Sequence, residues 1–103
     1  MILERLGSRE RHALLFERYG VLLTEHQRRV LGLYLDDDWS LSEIADSQET
    51  SRQAVHDILQ RSIRALEEYE IKLGLVTRRA AIERELDELR RRLDALTEEV
   101  GKI

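Results

Sequence analysis

Ser40-Leu-Ser-Glu-Ile-Ala-Asp-Ser-Gln-Glu-Thr-Ser-Arg-Gln-Ala-Val-His-Asp-Ile-Leu-Gln-Arg-Ser-Ile-Arg-Ala-Leu66 is the stretch that decides the fold. Two helix starts lie ten residues apart in it, each marked by a hydroxyl residue with Glu or Gln three positions on: Ser40 with Glu43, and Thr50 with Gln53. Each pair reads as a capping box, in which the two side chains satisfy orphan N–H groups of a first helical turn. Between the starts lies a helix of about two turns carrying Leu41, Ile44 and Ala45, then a polar break. A short helix, a tight turn and a longer second helix form a helix-turn-helix, whose second helix can enter the major groove of DNA.

Upstream, residues 1–7 read as a frayed arm ending at Gly7. A first helix is predicted from about Ser8 to Tyr19, apolar at Leu14, Leu15, Phe16 and Tyr19, with Gly20 as a left-handed stop. Thr24 with Gln27 is a further capping box, opening a helix to about Leu35 whose Val30, Leu31, Tyr34 and Leu35 face the core. Asp36-Asp37-Asp38-Trp39 then interrupts the pattern, because acidic side chains oppose the dipole at a helix C-terminus. The run lacks the glycine and distal Glu of an EF-hand and reads as a solvated turn.

Downstream, the second helix of the pair is long. Val55, Ile58, Leu59, Ser62, Ile63, Leu66, Tyr69 and Leu73 hold one stripe, and Gly74 can end it. The reading is therefore a helical domain over residues 1–75, containing the helix-turn-helix at about 40–66, followed by a C-terminal amphipathic helix over 76–103. In that segment Ile82, Leu86, Leu89, Leu93, Leu96, Val100 and Ile103 alternate spacings of four and three, the seam of a coiled coil. Such a stripe needs cover, from the same helix of a second subunit or from the body of its own domain. The narrow seam suits a helical partner better, so Ile82, Leu86, Leu89, Leu93, Leu96 and Val100 are the expected homodimer contacts. Opposite charges meet in either a parallel or an antiparallel pair, and the orientation stays open.

Composition agrees with an all-α chain. Its 103 residues include no proline, no cysteine and only five glycines, which excludes disulfides and thiolate metal sites. No apolar run approaches the roughly 18–20 residues needed to span a bilayer, so a cytoplasmic protein without membrane insertion is expected. The net charge of −4 cuts against simple DNA binding, since Lys and Arg supply most non-specific affinity for phosphate. Within 40–66, Arg52, Arg61 and Arg64 stand against Glu43, Asp46, Glu49 and Asp57. An acidic head argues against strongly salt-driven binding.

The exposed start of the second helix carries the candidate site. Arg52, Gln53, His56 and Asp57 can address base edges: Arg binds guanine, Gln binds adenine, and Asp accepts from cytosine. Ser51, at a helix N-terminus that favours an anionic oxygen, together with Arg61 and Arg64, can take phosphates. Each of these is also an ordinary exposed polar residue. His12 and His26 have no implied role, no metal ligation or cofactor is expected, and no nucleophile, phosphate loop or acid–base pair points to an enzyme.

On Phe16-Glu-Arg-Tyr19-Gly20-Val-Leu22-Leu23-Thr24-Glu-His-Gln27-Arg28, Leu33 to Ala45, and Ser51-Arg52-Gln53-Ala54-Val55-His56-Asp57, the chain resembles the YlxM family of small bacterial helix-turn-helix proteins. The likeness covers roughly residues 10–75. The same stretch is similar to the promoter-reading region 4 of bacterial sigma factors, through Leu23-Thr24, Glu43-Ile44-Ala45 and Ser51. The resemblance implies a DNA-binding regulator of double-stranded DNA, or an accessory that binds signal recognition particle components, because that family is encoded beside the particle's GTPases. One departure is physical: the turn position usually held by glycine is Glu49, where a left-handed conformation costs about 1–2 kcal/mol. The expectation is an all-α, sigma-region-4-like homodimer that reads DNA. The alternative is an adaptor that kept the fold without the DNA.

Overall fold

Local caps set the element boundaries. The computed structural model describes residues 7–103, so the arm read over 1–7 lies outside the described residues apart from Gly7. The described elements are α1 (Ser8–Tyr19), a 3-10 turn (Gly20–Leu22), α2 (Glu25–Leu35), α3 (Leu41–Ser47), α4 (Arg52–Leu73) and α5 (Leu75–Gly101), with no strand among them. The chain is all-α, and α3 and α4 form the helix-turn-helix.

Two of the three expected capping boxes are in place. Thr24 and Gln27 exchange hydrogen bonds of 3.1 Å in both directions at the start of α2. Ser40 and Glu43 do the same at α3, at 3.0 and 3.1 Å. The box expected from Thr50 and Gln53 does not form. Ser51 is the N-cap, its Oγ accepting from Ala54 N–H at 3.1 Å, while the Thr50 N–H donates back to Ala45 O at 2.9 Å and belongs to the preceding turn. Gly20 also departs from expectation. Its φ of −54° is right-handed and leads into the 3-10 turn. A Cβ there would lie 3.0 Å from the Phe16 ring, so glycine serves close packing rather than a left-handed stop. Gly74, by contrast, has φ +62° and ends α4 as predicted.

The core gathers around α4, which packs against α1, α2 and α3. Leu15, Val30, Leu31, Ile44, Val55 and Leu66 are fully buried in it. Two ion pairs tie α1 across the body. Arg11 grips the Glu67 carboxylate of α4 with two hydrogen bonds, Nε to Oε1 at 2.6 Å and Nη2 to Oε2. Arg9 bonds the Tyr34 carbonyl at 2.7 Å, lies 5.1 Å over the Tyr34 ring and pairs with Asp38. The acidic turn after α2 is thus partly neutralised by a cation from α1, which also caps the negative end of α2. Asp38 itself adopts φ 57°, a conformation Asp tolerates better than most side chains.

Helix α5 begins inside this body and then leaves it. Val76 is buried, Ala80 and Ala81 are half-buried, and every residue from Ile82 onward is exposed. The radius of gyration is 19.4 Å, against about 13 Å for a compact chain of this length. The molecule measures 70 × 27 × 22 Å, the length expected of a body with a projecting rod.

Candidate nucleic-acid interface

The turn between α3 and α4 aims the start of α4. Gln48 closes α3, Glu49 follows at φ 53°, and the Glu49 and Thr50 N–H groups donate to Asp46 O (3.3 Å) and Ala45 O (2.9 Å). This pair of bonds around a left-handed residue is a Schellman motif. The sequence puts Glu where glycine is easier, and the backbone takes the left-handed conformation regardless. What overrides the cost is packing: Ile44 and Ala45 of α3 and Val55 and Leu59 of α4 are all buried at the crossing. Ala45 must be small for the two helices to approach.

With the crossing fixed, the start of α4 points to solvent. Ser51, Arg52, Gln53, His56, Asp57, Gln60, Arg61 and Arg64 are all exposed. At 100° per residue, Gln53, Asp57 and Arg64 lie along the middle of the exposed face, with Arg52 and His56 on one flank and Arg61 on the other. The face is partly self-engaged. Gln53 Nε2 donates to Asp57 Oδ1 at 3.0 Å, and His56 Nδ1 lies 3.5 Å from the same oxygen. Arg61 Nε donates to the Asp57 carbonyl at 3.4 Å. Arg52 and Arg64 have no side-chain hydrogen bond or ion pair among the described residues. Three of the candidate side chains, Gln53, His56 and Arg61, are therefore brought to Asp57, and two cations stand open. At α3 the Ser40 backbone N–H and hydroxyl hold the Glu43 carboxyl below the usual carboxylate range, so that charge stays beside the head.

The structure keeps the other candidate set apart from this head. Ile82, Leu86, Leu89, Leu93, Leu96 and Val100 lie on the projecting part of α5, exposed and without cover. Besides the Arg11–Glu67 pair, two polar sites went unrecognised in the sequence. One is the Arg9–Asp38 pair. The other is Glu70, 7% exposed on the mostly apolar stripe of α4. Its carboxylate accepts from Tyr19 OH, from Val76 N–H (3.1 Å) and from the Thr77 N–H (3.1 Å) and hydroxyl (2.7 Å). Burial pushes the Glu70 carboxyl upward, but the bonds from Thr77, Tyr19 and Val76 outweigh it and hold it below the usual range. The anion thereby caps the N-terminus of α5 and fixes the angle at which the rod leaves the body. The signal was present: a Glu four residues past Leu66 on the buried stripe, with Gly74 and Thr77 just beyond.

This helix-turn-helix, with its exposed α4 start, matches along its length a protein-family model described as "Putative helix-turn-helix protein, YlxM / p13 like", over residues 6–102. The chain belongs to the YlxM/p13-like family. It is 51% identical over 85 residues to a UPF0122 protein of Symbiobacterium thermophilum, an alignment covering 82% of this chain and 79% of that one. To the UPF0122 protein of Clostridium kluyveri it is 49% identical over 78 residues, 76% and 70% of the two chains. A Geobacillus kaustophilus relative is 48% identical over 85 residues, covering 79% and 77%. Among the described residues of this YlxM/p13-like chain, no helix is long and apolar enough to cross a membrane. Nor do three or more His, Cys, Asp or Glu side chains gather there as a metal site requires.

Proposed function

We propose that this chain is a DNA-binding regulatory protein whose reading helix begins at Ser51 and which works as a homodimer through α5. The supporting observation is the exposed N-terminal end of α4, projected by the α3–α4 crossing, with Arg52 and Arg64 free of any partner among the described residues. Arg52, Gln53, His56 and Asp57 face the groove, and Ser51, Arg61 and Arg64 face the phosphates. A link to the signal recognition particle pathway is supported by the family resemblance alone.

The test is an anisotropy titration of the duplex upstream of the chain's own gene. Arg52→Ala should weaken binding by about 1–3 kcal/mol if Arg52 contacts a base bidentately. Arg61→Ala should instead flatten the salt dependence by about 0.9 in log–log slope, as loss of one phosphate contact requires. Equal affinity for the parent and Arg52→Ala removes the base-contact assignment.

A second reading is favoured by one feature, the carboxylate of Asp57 in the middle of the head, hydrogen-bonded by Gln53, in a segment 40–66 whose three Arg stand against four acidic residues. A head so arranged suits an adaptor docking on a protein component of the signal recognition particle. Pull-down of particle components without DNA would support it, and saturable DNA binding with a steep salt slope would exclude it.

A further inference from the structure

The projecting part of α5 shows which way a second copy would lie on it. Ile82, Leu89, Leu96 and Ile103 occupy the d positions of its heptads, and Leu86, Leu93 and Val100 the a positions. Leu75 and Arg79 extend the seam backwards as d and a. From Ile82 to Val100 the seam residues are 44–69% exposed, and Leu75 is 41% exposed although it sits against the body. An open groove lined by Leu75, Arg78, Ile82, Glu83 and Leu86 runs along this start of the seam beside Arg18.

The flanking charges are not equally occupied. Glu83, Arg90 and Arg92 bond within the helix, to Arg79 (2.8 Å), Asp87 (3.5 Å) and Glu88 (2.9 Å). Arg78, Glu85 and Glu99, all at g positions, make no side-chain ion pair among the described residues. A parallel pair sets a g residue against the e residue five places further on the partner. It would offer Glu85 the Arg90 of a second copy and Arg78 its Glu83, but Glu99 would face past the end of the helix. It would also stack Arg79 against Arg79 across the seam, like charge on like charge.

An antiparallel pair centred between residues 87 and 88 behaves differently. Its a–d layers join Leu86 to Leu89, Ile82 to Leu93, Arg79 to Leu96 and Leu75 to Val100 of the second copy. Its g–g contacts join Glu85 to Arg92 and Arg78 to Glu99, and its e–e contact joins Glu83 to Arg90. Every unpaired g charge gains an opposite partner, twice over by symmetry. Arg79 keeps its own Glu83 and meets an apolar residue instead of a second Arg79. The Leu93–Val100 turns of the second copy fall into the groove beside Leu75 and cover it.

We infer that α5 pairs antiparallel with α5 of a second copy, the two bodies lying at opposite ends of the paired rods. This orientation rests on the homodimer reading above and adds to it. With an overlap of about 40 Å, the dimer would be roughly 100 Å long, from monomers of 70 Å.

Cross-linking on the full chain, which has no cysteine of its own, tests it. In the antiparallel pair residue 82 faces residue 93, whereas identical residues at either position lie about 16 Å apart along the axis, too far for a disulfide. Ile82→Cys and Leu93→Cys chains, mixed and oxidised, should form a covalent species of twice 12.1 kDa, and neither should form it alone. As a second readout, Glu85→Arg should weaken dimerisation several-fold and Arg92→Glu added to it should restore it. Covalent dimers from the Leu93→Cys chain alone, or rescue by Arg90→Glu instead, would overturn the orientation and leave the homodimer standing. A dimer by light scattering with no cross-link in the mixture would do the same. A 12.1 kDa species by light scattering at every concentration would overturn both.

Discussion

Replacing Glu70 by Ala strips the N-terminus of α5 of its anionic cap. In the folded chain the Val76 N–H and the Tyr19 hydroxyl are buried donors that both reach Glu70 Oε1. Each buried polar group left without a partner costs about 1–3 kcal/mol. Thr77, half-buried, loses the single oxygen that accepts both its N–H and its hydroxyl, but can turn part of its demand to water. The expected loss is therefore about 3–4 kcal/mol, a large share of the roughly 5–15 kcal/mol that holds a domain folded. Urea unfolding followed by far-UV circular dichroism should show the midpoint falling by about 1.5–2 M, with the slope unchanged. Glu70→Gln keeps acceptor oxygen but aims amide donors at Thr77, and should cost about half as much. The two variants also separate in acid. Because Glu70 titrates lower in the folded chain than in the unfolded one, the unfolded state binds its proton first as pH falls. The carboxylate's contribution is thus complete above about pH 4.3 and is lost as pH drops through the folded value. Glu70→Gln should flatten that acid limb. Glu67, held down chiefly by the hydrogen bonds from Arg11, should still supply a limb of the same sign. An Ala variant within 1 kcal/mol of the parent, or a Gln variant with the full acid slope, would refute this account of the junction.

Two further substitutions probe the helix-turn-helix itself. Glu49→Gly should stabilise the chain by about 0.5–1 kcal/mol, because the left-handed strain exceeds the entropy glycine returns to the unfolded state; calorimetry should show a melting temperature higher by several degrees, and a decrease would mean the Glu49 side chain makes a contact worth more than the strain. Ala45→Leu should lower stability by about 1–3 kcal/mol or more by forcing extra carbons between α3 and α4, read by the same urea unfolding; an unchanged midpoint would show that the crossing has room to spare.

Short-range chemistry made most of the body legible. Capping boxes are written in adjacent residues, so Thr24–Gln27 and Ser40–Glu43 named their helices before any packing was known. The error at Thr50 has a local cause too: two hydroxyl residues stand side by side, and the choice between them was made by the Schellman turn, which claims the Thr50 N–H for α3 and leaves Ser51 to cap α4. Contacts that bridge distant residues were not legible. Nothing near Arg9 announces Tyr34 or Asp38, and nothing near Glu70 announces Tyr19, which lies 51 residues away. A buried Glu on an apolar stripe is a conspicuous exception in a sequence, but only the folded backbone shows that the start of α5 turns back onto it. The candidate face of α4 was legible as exposed residues and not as a network. That Asp57 draws Gln53 and His56 toward itself depends on rotamers the sequence does not fix.

Three features persist here that folding alone does not favour. Glu49 holds a strained turn, Asp57 places a carboxylate amid groups otherwise suited to an anion, and α5 exposes apolar side chains along its projecting length. The first is compensated on the spot by the burial of Ile44, Ala45 and Val55, and needs no further cause. Asp57 is met within the chain by Gln53 and His56, whereas the seam has no cover among the described residues. An exposed Leu-rich seam is a liability for a lone helix and an asset for a pair, and a weakly cationic head binds poorly alone but better when a second head is tethered to it. The seam and the weakly cationic head therefore bear on one another. Two copies joined through α5 would let a head of modest intrinsic affinity act by number, and the charge at Asp57 would serve selection rather than grip.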